Sequence, residues 1–307
     1  MIRLGTRGSA LALAQANWVA ERLHGEVELV PITTSGDERG SDPLSASDSR
    51  GLTPDKSRFV KEIEEALLAG DVDLAVHSAK DVPSQLPDGR AIVGVPERAD
   101  ARDAICGAAS LDDLPEGATV GTGSLRRRAA LLALRPDLKV RELRGNVDTR
   151  LRRLADGDFD AIVLACAGLE RLGRSGEGAP IDAERVVPAP GQGCLVLEAR
   201  AADGHVAKPA TALTDRDAHT CLTVERALVQ ALDASCHTPI GAHAVTADGE
   251  LRLRAFVGLP DGSHWIRDEL DGSPDEPAAL GSAVGERLLA AGAADLLREA
   301  ERVAFAR

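Results

Sequence analysis

Apolar and polar positions alternate in short blocks along the first two thirds of the chain. Residues 2–6 predict a strand, Ser9 predicts the N-cap of a helix that runs to about Leu23, and Val27 to Thr34 predict a second strand. Apolar side chains at positions 59, 60, 63, 67 and 68 predict a helix that stops at Gly70, before a strand from Asp73 to Ser78. Strands that alternate with amphipathic helices indicate an α/β protein.

A polar stretch from Ser35 to Ser57, rich in Gly, Ser, Asp and Pro, interrupts this alternation. A connection of that length inside a compact domain is usually a functional lid or a disordered segment. We favour a lid, at residues 37–58.

Two short motifs recur in the same order along the chain, one of them at a spacing of 87 positions. Residues 70–76 match residues 157–163 (GDVDLAV and GDFDAIV), and residues 5–9 resemble residues 121–124 (GTRGS and GTGS). Each member of the second pair is a predicted strand end that runs into a helix. The repeat predicts two similar α/β lobes.

The last third has a different pattern. Residues 218–232 predict a helix, and residues 242–246, 251–257 and 264–269 predict strands joined at Asp248-Gly249 and Asp261-Gly262. A final helix is predicted over roughly 277–304, and the Pro- and Gly-rich residues 188–193 predict a crossing between lobes. We therefore expect three domains: residues 1–96 with about 192–214, residues 97–191, and residues 217–307.

Composition narrows the function. The chain has 307 residues, 44% of them hydrophobic but only 2% aromatic, and a formal net charge of −13. An acidic chain with few aromatic side chains disfavours nucleic acid as a partner. No apolar run resembles a signal peptide or a membrane span, which predicts a cytoplasmic protein without membrane contact. Five cysteines with no metal-type spacing predict no metal site.

One segment opposes the overall charge. Between Arg126 and Arg153, ten basic residues stand against three acidic ones, which indicates an anion-binding surface. Residues 121–124 open the predicted helix 125–134, where free backbone N–H groups attract anions, but the pattern is not a nucleotide-binding loop. Arg126 and Arg127 suit bidentate pairing with carboxylates. A second set (Arg128, Arg135, Arg152 and Arg153) is expected on solvated helix faces.

Other candidate chemistry lies at a strand end and in a loop. Lys80 and Asp81 directly follow a buried strand, where they predict either an anion anchor beside an acid/base carboxylate or a solvated ion pair. His77 is expected to be structural. Cys106, Cys166 and Cys221 are expected in the core, Cys194 is ambiguous, and Cys236, beside His237 in a loop, is either a nucleophile or an inert thiol.

Six motifs together carry a resemblance to the porphobilinogen deaminase family, from about residue 2 to the last helix. They occur in the family's order: residues 5–9 (GTRGS), 76–83 (VHSAKDVP), 120–127 (VGTGSLRR), 143–146 (LRGN), 191–193 (GQG) and 236–241 (CHTPIG). The resemblance implies two lobes like type II periplasmic binding proteins with the active site in their cleft, and a small C-terminal α+β domain with a three-stranded antiparallel sheet.

The resemblance also implies a reaction. Family members are transferases that join four porphobilinogen molecules head to tail with loss of ammonia, and then release the linear tetrapyrrole by hydrolysis. The chain grows on a dipyrromethane cofactor, which by motif position would be attached to Cys236 through a thioether. Asp81 matches the carboxylate that stabilises the cationic azafulvenium and assists proton transfer. Monomers are usual in the family.

Matched positions imply the remaining site residues. Carboxylate-binding and polar contacts would come from Arg7, Ser9, Ser78, Lys80, Thr122, Ser124, Arg126, Arg127, Arg144, Arg150 and Gln192. The lid departs from the family's glycine-rich pattern, although Asp37 and Lys56 can be matched. The alternative is a non-catalytic two-lobed sensor of small anions, which would explain the lobes and arginines but not Cys236, Asp81 and the third domain together.

Overall fold

A computed structural model describes residues 1–34, 60–234 and 238–305. The predicted lid with Asp37 and Lys56, and the predicted attachment residue Cys236, lie outside the described residues. The described chain forms two five-stranded sheets and one three-stranded sheet, with helices between the strands. The predicted α/β class is confirmed.

The first compact unit comprises Met1–Arg98 and Cys194–His219. Its elements are β1 (Ile2–Arg7), α1 (Ala10–Ala20), β2 (Val27–Ile32), α2 (Lys61–Ala69), β3 (Leu74–Ser78), β4 (Arg90–Gly94), β10 (Leu195–Arg200) and α6 (Gly204–Thr211). The strand order is β2-β1-β3-β10-β4. β1 pairs in parallel with β2 and β3, whereas β10 runs antiparallel to β3 and β4.

The second compact unit comprises Ala99–Gly193 and Thr220–Arg307. Its α/β part contains β5 (Asp103–Cys106), β6 (Thr119–Gly121), α3 (Leu125–Leu134), β7 (Lys139–Arg141), α4 (Val147–Ala155), β8 (Ala161–Ala165), α5 (Cys166–Arg171) and β9 (Ala179–Pro180). The strand order is β7-β6-β8-β5-β9. β6 pairs in parallel with β7 and β8, and β5 runs antiparallel to β8 and β9.

The two five-stranded sheets have the same topology, so the predicted repeat is confirmed. β1 corresponds to β6 and β3 to β8, the strands that carry the two sequence matches. An aspartate recurs before β3 and β8. Asp73 donates its backbone N–H to the Arg3 carbonyl on β1, and its carboxylate accepts the Arg3 N–H. Asp160 makes the same two bonds with Thr119 on β6. Asp73 also binds the Arg3 guanidinium, at 2.7 Å from Oδ1 to Nη2.

The C-terminal part of the second unit is an antiparallel sheet in the order β11-β12-β13. Its elements are α7 (Arg216–Ala231), which begins before the unit boundary, β11 (Ile240–Ala247), β12 (Glu250–Gly258), β13 (Trp265–Gly272), α8 (Pro277–Ala290) and α9 (Ala293–Phe305). The turn at Asp248-Gly249 has φ of 54° and 81°, the left-handed values that a two-residue hairpin requires. The single final helix was a wrong prediction, because Gly292 with φ of 98° separates α8 from α9.

Small aliphatic side chains build the cores, as the composition indicates. In the first unit α1 packs Ala16 and Val19 against the sheet, and α2 buries Ile63 and Leu67 completely. Leu68, one of the apolar positions that predict this helix, is 49% exposed, because it lies about 100° around the helix from Leu67. The three-domain division stays a prediction, since the second α/β sheet and the C-terminal sheet fall in one compact unit. No helix among the described residues is long and apolar enough to cross a membrane.

Candidate active site

In the first unit, the polar residues 78–81 lie at the carboxyl end of β3. The strand continues into one 3₁₀ turn, Ala79–Asp81, in which Val82 N–H donates to the Ala79 carbonyl at 3.2 Å. Ala79 N–H donates to the Cys194 carbonyl at 3.1 Å. Ala79 is buried, whereas Ser78, Lys80 and Asp81 are partly exposed. The turn therefore holds Lys80 and Asp81 at the surface of a rigid sheet end.

Four ionisable side chains, three of them buried and one, Arg90, partly buried, also belong to this unit, and we call them the acidic cluster. They are Glu64 on α2, His77 on β3, Arg90 on β4 and Glu198 on β10. Arg90 is paired with Glu64, and His77 Nε2 lies 3.1 Å from Glu198 Oε2. Burial raises the pKa of Glu64, and the neighbouring Glu198 raises it further, against the opposing attraction of Arg90.

The second unit holds a buried group with the opposite charge balance. We call it the arginine cluster, and it is formed by Asp103, Arg126 and Arg127. Arg127 donates through Nε and Nη2 to Asp103 Oδ1 at 3.0 and 2.8 Å, and Arg126 Nη1 lies 2.8 Å from Oδ2. Burial alone would raise the pKa of Asp103, but attraction by the two guanidinium groups outweighs it and lowers that pKa well below its usual range. Two cations against one carboxylate leave a buried excess of positive charge.

Backbone carbonyls and Gln192 complete this cluster. Arg126 donates to the Val187 carbonyl at 2.7 Å, and Arg127 to the Val163 carbonyl at 2.9 Å. Gln192 is 1% exposed and donates from Nε2 to Asp103 Oδ1 at 2.8 Å. Its neighbour Gly193 has φ of 88°, and a Cβ there would lie 2.3 Å from the Ala99 carbonyl oxygen, so this position requires glycine.

The loop before α3 fits an anion-binding helix end. Ser124 is the N-cap and accepts from the Arg127 N–H at 3.4 Å, and Thr122 Oγ1 accepts from the Ser124 N–H at 3.2 Å. In the first unit Ser9 caps α1 in the same way, accepting from the Ala12 N–H at 3.3 Å. Ser9 thus caps α1 as predicted, and Arg7 ends the strand before it.

Arg150 on α4 is a partly buried cation with no carboxylate partner among the described residues. Its Nε donates to the Gly145 carbonyl at 2.8 Å. Burial lowers the pKa of Arg150 to about 10, and repulsion by Arg127 acts in the same direction. Arg144 is exposed and pairs with Glu142 at 2.7 Å. A guanidinium that is desolvated but not neutralised favours binding of an anion.

Several expectations about individual residues need correction. Arg128 and Arg135 do not lie on solvated faces: Arg128 donates to the Val140 and Pro260 carbonyls, and Arg135 to the Leu111 and Leu114 carbonyls and to Asp137. Cys106, Cys166, Cys194 and Cys221 are all buried, which agrees with the core assignment and settles Cys194. Burial raises the pKa of Cys166 to about 12, which disfavours a reactive thiolate.

Asp103 is the main site residue that sequence reasoning missed. One signal for it was present, because two adjacent arginines at the buried start of a helix require a buried counter-charge, and Asp103 precedes the apolar run 104–106. Arg171, which donates to the Gly193 carbonyl at 2.8 Å, was missed as well, without a distinctive signal.

These features define a class of protein before any comparison. Basic and acidic side chains are concentrated at strand ends of two α/β sheets, beside capped helix N-termini, an arrangement that suits an enzyme or binder of carboxylate-bearing molecules. No group of three or more potential metal ligands occurs among the described residues.

Comparison with known proteins supplies the family. The profile of the porphobilinogen deaminase dipyromethane cofactor binding domain matches residues 2–208, and that of the porphobilinogen deaminase C-terminal domain matches residues 219–290. The porphobilinogen deaminase of Brevibacillus brevis is 43% identical over 98% of this chain and 97% of its own length. That of Deinococcus radiodurans is 45% identical over 96% and 97%. The chain belongs to the porphobilinogen deaminase family.

Membership has direct consequences. The chain is an enzyme, a transferase of tetrapyrrole biosynthesis that works with a dipyrromethane cofactor. The alternative of a non-catalytic anion sensor is not supported.

Among solved structures, that of the methionine-binding protein MetQ aligns with 69% of this chain and 89% of its own, at 19% identity and a TM-score of 0.41.

Proposed function

We propose that the chain joins four porphobilinogen molecules head to tail, releasing one ammonia from each, and that Asp81 and the cationic residues of the second unit carry this reaction. The observation that carries the assignment of binding residues is Arg150, a desolvated guanidinium without a carboxylate partner among the described residues. Each pyrrole ring of substrate and product bears two carboxylates, so a growing chain needs several such cations.

The residues of the second unit suit a dipyrromethane cofactor. The arginine cluster keeps a net positive charge although it is buried, and the Nε of Arg126 has no acceptor among the described residues. Arg126, Arg127, Arg144 and Arg150 would hold carboxylates, and Thr122, Ser124 and Gln192 would add polar contacts. When bound, the cofactor supplies the nucleophilic pyrrole carbon from which the product grows. We assign its attachment to Cys236 on the family motif alone.

We assign Asp81 the chemical step. Loss of ammonia leaves positive charge on the substrate, and a carboxylate close to that charge lowers the barrier electrostatically. The same carboxylate can accept a proton when the new bond is complete. Lys80 and Arg7 would bind substrate carboxylates, with Ser9 and Ser78 as polar contacts. The partly exposed position of Asp81 at the end of a buried strand supports this assignment.

The test combines mass and turnover. Intact-mass measurement of the purified protein should show an excess equal to two linked pyrrole units, absent in Cys236→Ala and kept in the matched control Cys221→Ala, whose thiol is buried. Asp81→Asn should abolish porphobilinogen consumption, whereas Asp88→Asn, an exposed carboxylate in the following loop, should not. A wild-type protein without added mass and without turnover would overturn the proposal.

We extend the proposal to the setting of the enzyme: a monomer in the cytoplasm, with three domains and with no nucleic acid or membrane partner. The net charge of −13 supports the exclusion of nucleic acid. Light scattering after size exclusion should give the mass of one chain, and a dimer mass would contradict the monomer.

A further inference from the structure

The carboxyl end of β3 carries a buried pair of ionisable side chains that the proposed reaction does not use. We propose that His77 and Glu198 are positioning residues, which fix the turn that presents Asp81. This inference rests on the catalytic role proposed for Asp81.

The register of the sheet brings the two side chains together. β3 and β10 run antiparallel, with Val196 opposite His77 and Glu198 opposite Ala75. Because alternate residues of a strand share one face, His77 and Glu198 lie diagonally on the same face of the sheet. His77 Nε2 is 3.1 Å from Glu198 Oε2, and the two side chains are only 3% and 0% exposed.

The contact between His77 and Glu198 depends on the register of β3 against β10. Neither oxygen of Glu198 makes a hydrogen bond among the described residues, and neither does His77 Nε2, so the 3.1 Å approach between them is the close polar contact that the structure records for both groups. A buried carboxylate is costly without a partner, and therefore a shift of β3 along β10 that separated the two groups would be penalised. Two further ionisable groups act beside the pair, Glu64 from α2 and Arg90 from β4, and these two are already paired with each other.

Only a short segment separates this pair from Asp81. The 3₁₀ turn Ala79–Asp81 has no side-chain cap, and its first N–H is bound by the Cys194 carbonyl, one residue before β10. The same two strands that carry His77 and Glu198 thus hold the turn at its start. Any slip between them would move Asp81, which lies four residues beyond His77.

The opposite end of β3 provides a matched control. Asp73, the residue before the strand, accepts from the Arg3 backbone N–H at 3.0 Å and from its guanidinium at 3.1 and 2.7 Å. This ion pair ties β3 to β1 and lies at the amino end, away from the turn. Both ends are therefore anchored by a carboxylate, but only one anchor is next to Asp81.

The experiment compares Glu198→Gln, His77→Gln and Asp73→Asn in the cofactor-loaded enzyme. Either change in the pair should lower kcat for porphobilinogen consumption by roughly 10- to 100-fold, with KM within about twofold, because Asp81 is displaced while substrate binding persists. Asp73→Asn should keep kcat within about twofold of the wild-type value, although it loses about as much thermal stability as the pair variants.

Three outcomes would overturn the inference. Equal losses of kcat in Glu198→Gln and Asp73→Asn would mean that any weakening of β3 suffices. An increase in KM alone would mean that the pair affects binding. Failure of both pair variants to fold would make the pair a structural element only. An inactive wild-type enzyme would instead refute the proposed function itself.

Discussion

The two α/β sheets share one topology but bury opposite charge. In the first unit the acidic cluster contains two carboxylates, one guanidinium and one imidazole. In the second unit the arginine cluster contains one carboxylate and two guanidinium groups. The arginines come from one of two equivalent helices: after the capping serine, α1 continues with Ala10-Leu11-Ala12, whereas α3 continues with Leu125-Arg126-Arg127. The carboxylates of the acidic cluster lie on other elements, α2 and β10.

This comparison separates what sets the fold from what sets the chemistry. The capping serines and the aspartates at positions 73 and 160 recur in both sheets, so they belong to the shared architecture. The side chains on the first turn of the helix do not recur. One duplicated fold can thus carry buried groups of opposite charge balance.

The largest expected effect is on the arginine cluster. Asp103→Ala would leave two buried guanidinium groups without their carboxylate, and should reduce the free energy of unfolding by about 3–5 kcal/mol. Urea unfolding followed by circular dichroism measures this loss. Asp112→Ala, which removes an exposed partner of Arg185, is the control and should leave the midpoint nearly unchanged. A similar small effect for both variants would contradict the role given to Asp103.

Arg150 should separate binding from stability. Arg150→Met removes a desolvated cation that has no carboxylate partner in the described chain, so the free energy of unfolding should stay the same or rise. The KM for porphobilinogen should increase by about ten- to hundredfold, the value of one charge-assisted contact.

The control for Arg150 lies on the same helix. The side chain of Arg153 is 39% exposed and pairs with Asp158, and Arg153→Met should leave KM unchanged. Equal KM values for all three proteins would remove Arg150 from the binding site.

A smaller effect should distinguish the two recurring aspartates. Both accept a backbone N–H, but only Asp73 also pairs with a guanidinium, that of Arg3. Asp73→Ala should therefore lower the free energy of unfolding by about 1 kcal/mol more than Asp160→Ala. The reverse order in thermal unfolding would show that the arginine contributes nothing.

Local features of this fold could be predicted from the sequence. The strands, the N-cap at Ser9 and the helix that opens after residues 121–124 all depend on side chains close in the chain, and the structure confirms them. It also confirms the repeat. The break at Gly292 escaped prediction, since a lone glycine within an apolar pattern is compatible with a continuous helix.

Partners distant in the chain could not be predicted in the same way. Arg127 meets Asp103 across 24 positions and Gln192 meets it across 89, so the cluster exists only after the sheet has formed. Arg128 and Arg135 show the same limit, because their acceptors are backbone carbonyls, which have no sequence signature. The roles of Asp81 and Cys236 stay predictions that come from the family motifs.

The smallest expected effect is on the pH dependence of stability. It tests the contrast between the clusters directly, because the expected change has opposite signs for Asp103 and Glu64. The folded-state pKa of Asp103 is lowered, so Asp103 stabilises the fold above its unfolded pKa, and this contribution is lost as the pH falls below that value. The folded-state pKa of Glu64 is raised, so its ionisation opposes folding, and stability declines as the pH rises from the unfolded pKa through the raised one.

The measurement is the free energy of unfolding of the wild type minus that of a variant, followed against pH. For Asp103→Asn this difference should decrease as the pH is lowered. The same difference for Glu64→Gln should rise, by less than about 1 kcal/mol since part of the charge is screened. Differences of the same sign would show that the two clusters do not have opposite charge balances.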